Sequence, residues 1–166
     1  MKRKIALAGG AFQKAFSRPK GLTQKRSARA STVLAGGAFQ LIHPGHLRFL
    51  EFAARHGHLT VVIAHDRTVR RSKGYLLAPA RERAELVAAL GYRTVIGHPG
   101  DFFKVVRRLR PALIVLGPDQ RMPGLAHAIK AAGLRTRIMR YPRRYRNLST
   151  AALARRIAKG RKTEEP

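Results

Sequence analysis

From residue 32 onward, short apolar runs alternate with longer polar-patterned stretches, and this rhythm sets the expected fold. Residues 32–36, 59–64, 93–97 and 112–116 are rich in Val, Ile and Leu. Short apolar runs of that kind predict strands buried on both faces of a parallel sheet. Helical patterns near 45–56, 79–90 and 101–109 fall between them. Pro79 suits a first helical position and Asp101 an N-cap. A fourth helix near 124–132, closed by Gly133, leads to a fifth strand near 134–141, and a last helix starts around Ser149. The pattern predicts an α/β fold: one doubly wound, Rossmann-like domain with a five-stranded parallel sheet and helices on both faces. Its ligand is expected at the C-terminal ends of the strands.

The pattern changes before residue 32. Residues 1–31 hold nine basic side chains (Lys2, Arg3, Lys4, Lys14, Arg18, Lys20, Lys25, Arg26 and Arg29) and no acidic one. The stretch 14–31 has too little apolar surface to fold alone. The chain thus divides into a basic extension over 1–31, the domain over 32–160 and a short tail over 161–166. Within the extension, Leu7 to Gln13 repeats letter for letter as Leu34 to Gln40. Only the second copy continues into His43-Pro44-Gly45-His46. The first reads as a partial duplicate of the first strand motif, too brief to be an architectural repeat.

Composition narrows the function classes. A chain of 166 residues that is 45% hydrophobic can bury one ordinary core. It has no apolar run of roughly 18 residues that would span a membrane. The basic start loses its apolar run at Gly9-Gly10, too soon for a signal peptide, so a cytoplasmic protein is expected. The absence of cysteine removes disulfides, thiolate metal sites and thiol nucleophiles. No metal site in the protein is expected. A single asparagine, Asn147, and three methionines suit a high-temperature source.

Charge changes the picture most. Thirty-five Lys and Arg face eight Asp and Glu, a net charge of +27. Such self-repulsion opposes compaction, and nucleic acid is the obvious counter-charge. Twenty-five of the cations are Arg, whose planar fork binds phosphate and stacks on bases. The stretch Arg140-Tyr141-Pro142-Arg143-Arg144-Tyr145-Arg146 interleaves arginines with tyrosines, a combination suited to phosphate contact and base stacking. The expected partner is structured RNA, rRNA within a ribosomal subunit above all, with no membrane. Its candidate contacts are the nine basic residues of the extension, Arg70, Arg71 and Arg140 to Arg146 without Pro142.

Candidate chemistry sits where the first strand ends. The run Gly36-Gly37-Ala38-Phe39-Gln40-Leu41-Ile42-His43-Pro44-Gly45-His46 passes from strand to helix. Glycines there admit a phosphate close to the backbone, and a helix start offers free N–H groups. Two histidines three apart can donate to charge that builds on a transferring phosphoryl group.

The segment resembles the HxGH signature of the nucleotidylyltransferase (cytidylyltransferase-like) superfamily. The likeness continues through Val61 to Val69, Lys73-Gly74, Pro79 to Arg83, Ile114 to Gln120 and Ser149-Thr150. Over residues 33–158 the chain is similar to the archaeal FAD synthetase (FMN adenylyltransferase) branch. The resemblance implies that His43 and His46 steady the transition state, and that Lys73, with Arg70 and Arg71 alongside, neutralises a triphosphate. It places Gly36, Gly37, Ala38, Phe39, Gly117, Asp119 and Gln120 around the nucleotide, with Ser149 and Thr150 presented to phosphate. It also implies ATP or CTP with Mg2+ as the nucleotide.

Departures from that pattern pull the other way. The usual Gly-Thr-Phe-Asp is Gly37-Ala38-Phe39-Gln40 here, which removes a hydroxyl and a carboxylate. The expectation from sequence is therefore an RNA-bound, ribosome-associated protein on a nucleotidylyltransferase scaffold, with catalysis weakened or lost. The alternative is a working FMN adenylyltransferase that releases pyrophosphate.

Overall fold

The computed structural model describes residues 31–142 together with Thr150, Ala152, Leu153 and Arg155. The basic extension with its copy of the repeated heptapeptide, Ser149, and Arg143, Arg144, Tyr145 and Arg146 lie outside the described residues.

Five strands form one all-parallel sheet: β1 (Thr32–Gly37), β2 (His58–Ile63), β3 (Arg93–Ile96), β4 (Leu113–Leu116) and β5 (Arg137–Arg140), in the order β3-β2-β1-β4-β5. The helices that connect them are α1 (Pro44–Ala54), α2 (Asp66–Lys73), α3 (Ala80–Ala89), α4 (Phe102–Leu109) and α5 (Leu125–Ala131). Alternate residues of each strand point to opposite faces. Val33, Ala35, Leu59, Val61, Ile63, Leu113 and Val115 pack under α1 and α3. Leu34, Val62, Ile114 and Leu116 pack under α4 and α5. The central strands β1, β2 and β4 are buried on both sides, whereas β3, expected to be buried likewise, lies at the sheet edge with Arg93 and Ile96 exposed.

Chain direction over the sheet reverses at β1. From β1 the chain crosses by α1 to β2. The later connection through α4 returns on the opposite face and lays β4 along the free side of β1. A doubly wound sheet binds its ligand in the crevice outside such a switch point. Here that crevice lies between the C-terminal ends of β1 and β4.

Three expectations need correction. Pro79 is the residue before α3 rather than its first; its carbonyl accepts from Arg83 N at 3.1 Å. The fifth strand occupies only Arg137–Arg140 of the stretch 134–141. A helix not foreseen, α2, follows β2; it buries only Val69, too little to show as a period. Asp101 is the N-cap expected of it, accepting from Lys104 N at 3.2 Å.

Candidate active site

The run after β1 makes a tight turn before α1. Phe39 adopts a left-handed backbone at φ 47° and folds its ring back, where it is almost wholly buried. A Cβ on Gly37 would meet that ring at 2.9 Å, so glycine is required there by the chain's own phenyl group. Phe39 in turn lies 5.0 Å, centre to centre, from the His46 ring. The turn thus builds a hydrophobic wall behind one histidine.

His43 is the residue before α1, and Pro44 opens the helix without an N–H to lose. His46 N donates to His43 O at 2.8 Å, which fixes the spacing of the pair. Their rings stack with centres 3.9 Å apart, tilted by 27°. Both Nδ1 atoms are buried without a hydrogen-bond partner among the described residues. Burial pushes the His46 pKa down to about 4, with the neighbouring His43 adding to the effect and a hydrogen bond to the Leu41 backbone opposing it. Burial lowers His43 as well. At neutral pH this is a pair of uncharged imidazoles beside the first turn of a helix, where Pro44 has no N–H, His46 and Leu47 donate to His43 O, and the Gly45 N–H is the leading donor that remains. An anionic phosphate placed against them gains donors and raises their proton affinity.

Gln120 bridges the crevice. Its Nε2 donates to Gly36 O at 2.8 Å, and its Oε1 accepts from Gly117 N at 2.6 Å. A Cβ on Gly117 would come within 3.3 Å of that amide oxygen. Arg140 secures the same loop: its Nη1 donates to Gly117 O, Pro118 O and Gln120 O at 3.0, 3.3 and 2.7 Å. The loop after β4 is thereby tied to the end of β1.

Arg83 was not foreseen as part of this architecture. It is fully buried, and its guanidinium donates to Ala78 O at 2.8 Å, to Ala38 O, and to Ala64 O at 2.9 Å, while pairing with Asp66 Oδ1 at 2.6 Å. One side chain thus joins the loop after β1, the loop after β2, the start of α2 and the approach to α3. Gln40 ties loops together in a similar way. Its Oε1 accepts from Leu77 N at 2.8 Å, and the residue is buried. Gln40 faces the α2–α3 connection and supplies an acceptor there, so its identity does not itself argue against nucleotide chemistry.

Residues 34–157 match the model of the cytidylyltransferase-like family. The chain belongs to that family. Among proteins similar to it is a FAD synthase of Methanopyrus kandleri, 46% identical over 94 residues that cover 53% of this chain and 63% of that protein. A FAD synthase of Pyrococcus horikoshii is 40% identical over 127 residues, covering 72% and 86% respectively. The crystal structure of a lipopolysaccharide core biosynthesis protein from Thermoplasma volcanium is similar at a TM-score of 0.65 with 31% identity, covering 70% of this chain and 99% of that one.

Set on the family's fold, the expected site residues separate into groups. Gly36, Gly37, Ala38, Phe39, His43 and His46 surround the β1–α1 turn, and Gly117 with Gln120 closes the crevice from β4. Asp119 is exposed on the β4 loop. Lys73, Arg70 and Arg71 are exposed in the last turn of α2, where they complement the helix dipole. Thr150 is helical and half-buried, and its neighbour Ser149 lies outside the described residues. Tyr141 packs against Phe49 and Phe52, with ring centres 5.9 and 5.1 Å away, so its ring serves the core rather than an open stacking platform. Among the described residues no group of three His, Asp or Glu side chains is placed to hold a metal ion. No helix among them is long and apolar enough to cross a membrane.

Proposed function

We propose that this protein is an FMN adenylyltransferase, which joins FMN to the AMP portion of ATP and releases pyrophosphate. The observation that carries the reading is the stacked, neutral His43–His46 pair at the start of α1, set at the switch point between the β1 and β4 loops. The choice of FMN and ATP draws on the FAD synthases to which the chain is similar.

In this reaction a phosphate oxygen of FMN attacks the α-phosphorus of ATP, and the bond from that phosphorus to the bridging oxygen of pyrophosphate breaks. The new bond is the diphosphate linkage of FAD. Negative charge grows on the departing pyrophosphate. His43 and His46 would meet it as donors, alongside the Gly45 N–H at the helix start, in a setting where burial strengthens each interaction. Mg2+ belongs with the triphosphate, because the described residues around the crevice do not form a carboxylate cage for it. Such a reaction suits the cytoplasm, where both substrates occur.

The test is direct. Purified protein with FMN, ATP and Mg2+ should yield FAD and pyrophosphate, and CTP in place of ATP should serve poorly. His46→Ala should lower kcat by roughly 100-fold or more, the usual cost of losing a donor to developing charge. Absence of FAD, or an undiminished rate in the histidine variant, would remove the proposal.

A further inference from the structure

The sheet's two faces differ in charge as well as position. On the α1/α3 face the helices expose Arg48 and Arg81 against Glu51, Glu82 and Glu85. On the α4/α5 face they expose Lys104, Arg107, Arg108 and Lys130, with no acidic residue in either helix. From Phe102 to Pro142 the only carboxylate is Asp119. Of these four helices, α4 and α5 carry the unbalanced positive charge, and α2 carries a second cationic set, Arg67, Arg70, Arg71 and Lys73 against Asp66.

The α4/α5 side also carries a groove. Its first part is lined by Arg110, Pro111, Ala112, Leu134, Arg135 and Thr136 and holds about 410 Å³. The second, of about 370 Å³, shares Leu134 and Thr136 and runs past Ile129 and Lys130 to Ile138 on edge strand β5. The floor is largely apolar, while exposed Arg110, Lys130 and Arg135 border it. Arg110 to Ala112 precede β4 and Leu134 to Thr136 precede β5, so the groove opens at the N-terminal end of the sheet. The histidines lie at the other end.

We infer that this groove binds single-stranded RNA. A strand of nucleic acid presents a row of phosphates that match the cationic margins, and with no aromatic side chain in the lining those phosphate contacts carry the binding while the bases rest on aliphatic side chains. Arginine margins suit phosphate because the guanidinium donates in a planar pair. A lipid surface would call for bulky apolar side chains standing out beside the cations. Here Ile138 is the one exposed bulky apolar side chain of the lining, Leu134 is half-buried and Ile129 is buried. Because the groove and the crevice occupy opposite ends of the sheet, RNA and nucleotide do not compete for space.

A salt titration of affinity for a single-stranded RNA oligomer tests this, using the full chain. The triple variant Arg110→Gly, Lys130→Ser, Arg135→Ser should flatten the logarithmic salt slope by about two units, since each lost phosphate contact on a single strand contributes roughly 0.7. The triple variant Arg48→Ser, Arg55→Ser, Arg81→Ser removes equal charge from the α1 and α3 side and should leave the slope near wild type. Equal flattening in both would mean diffuse charge and overturn the proposal, as would a wild-type slope in the groove variant. Should the groove variant fail to fold by circular dichroism, photo-crosslinking of 4-thiouridine RNA to the wild-type chain decides. Crosslinks should fall on 110–112 and 126–138, and their absence there overturns the inference.

Discussion

Arg83 shows what a single buried charge can organise. Its acceptors come from Ala38, Ala64, Asp66 and Ala78, so one guanidinium reaches four separate pieces of the chain. Removing the guanidinium leaves the Asp66 carboxylate, a third exposed, and three half-buried carbonyls without their donor. Arg83→Met should cost about 2–3 kcal/mol, measured by urea unfolding at pH 7. A loss below about 1 kcal/mol would show that these bonds are not what holds the loops together. The His43–His46 pair was legible in the sequence because its motif lies within one short turn. Arg83 and Gln40 were not, because their partners lie as far as 45 and 37 residues away and only folding brings them close.

The same scale gives a pH prediction for His46. Its folded pKa, about 4, lies below the ordinary value of 6.5. Between those values the unfolded chain binds a proton that the folded chain refuses, so stability rises with pH across the window. It is fully present above about pH 6.5 and is lost as pH falls toward 4. The whole shift corresponds to roughly 3 kcal/mol. His46→Asn should remove most of this dependence, seen by comparing unfolding curves at pH 7.5 and 4.5. An identical pH dependence in wild type and variant would place the sensitivity elsewhere.

Among the elements, legibility followed burial. The central strands β1, β2 and β4 were visible because each is an apolar run buried by helices on both sides of the sheet, whereas the edge strands β3 and β5 are largely exposed. Helix α2 was not, since Asp66-Arg67-Thr68-Val69-Arg70-Arg71-Ser72-Lys73 offers one buried position and no repeating stripe. Its boundaries come from the ends instead: His65 accepts from Arg67 N, and Gly74 closes it in the left-handed region at φ 78°. Helix α4 closes with Arg110 in that same region, at φ 42°, where a side chain is strained. Arg110→Gly should therefore raise stability by about 0.5–1 kcal/mol, partly offset by the greater freedom of glycine in the unfolded chain. At the other end Asp101→Ala should lower it by about 1 kcal/mol. Thermal unfolding of both variants checks the pair of signs, and a loss of stability in Arg110→Gly would mean that its side chain contributes more than its backbone costs.

For the whole molecule the governing quantity is +27 on 166 residues. The family relationship accounts for the histidines, the crevice and the sheet, and asks for none of this charge. Like charges repel across the folded domain more than along an expanded chain, so the net charge works against stability. Screening should relieve it. At about 0.01 M salt the Debye length is about 30 Å, a reach comparable to the domain, and at about 0.15 M it is about 8 Å. Raising sodium chloride between those values should therefore raise Tm by several degrees and then level off. The distribution of charge adds a sharper expectation. Lys130 and Arg135 sit on the side where neither α4 nor α5 carries a carboxylate, whereas Arg81 lies 3.5 Å from Glu85 on the other. Removing Arg110, Lys130 and Arg135 should then reduce the salt dependence of Tm more than removing Arg48, Arg55 and Arg81, although both sets change the net charge equally. A Tm indifferent to salt would mean that the cations are already neutralised by their neighbours. Equal responses from the two variants would mean that repulsion acts through the total charge and not through the crowded face.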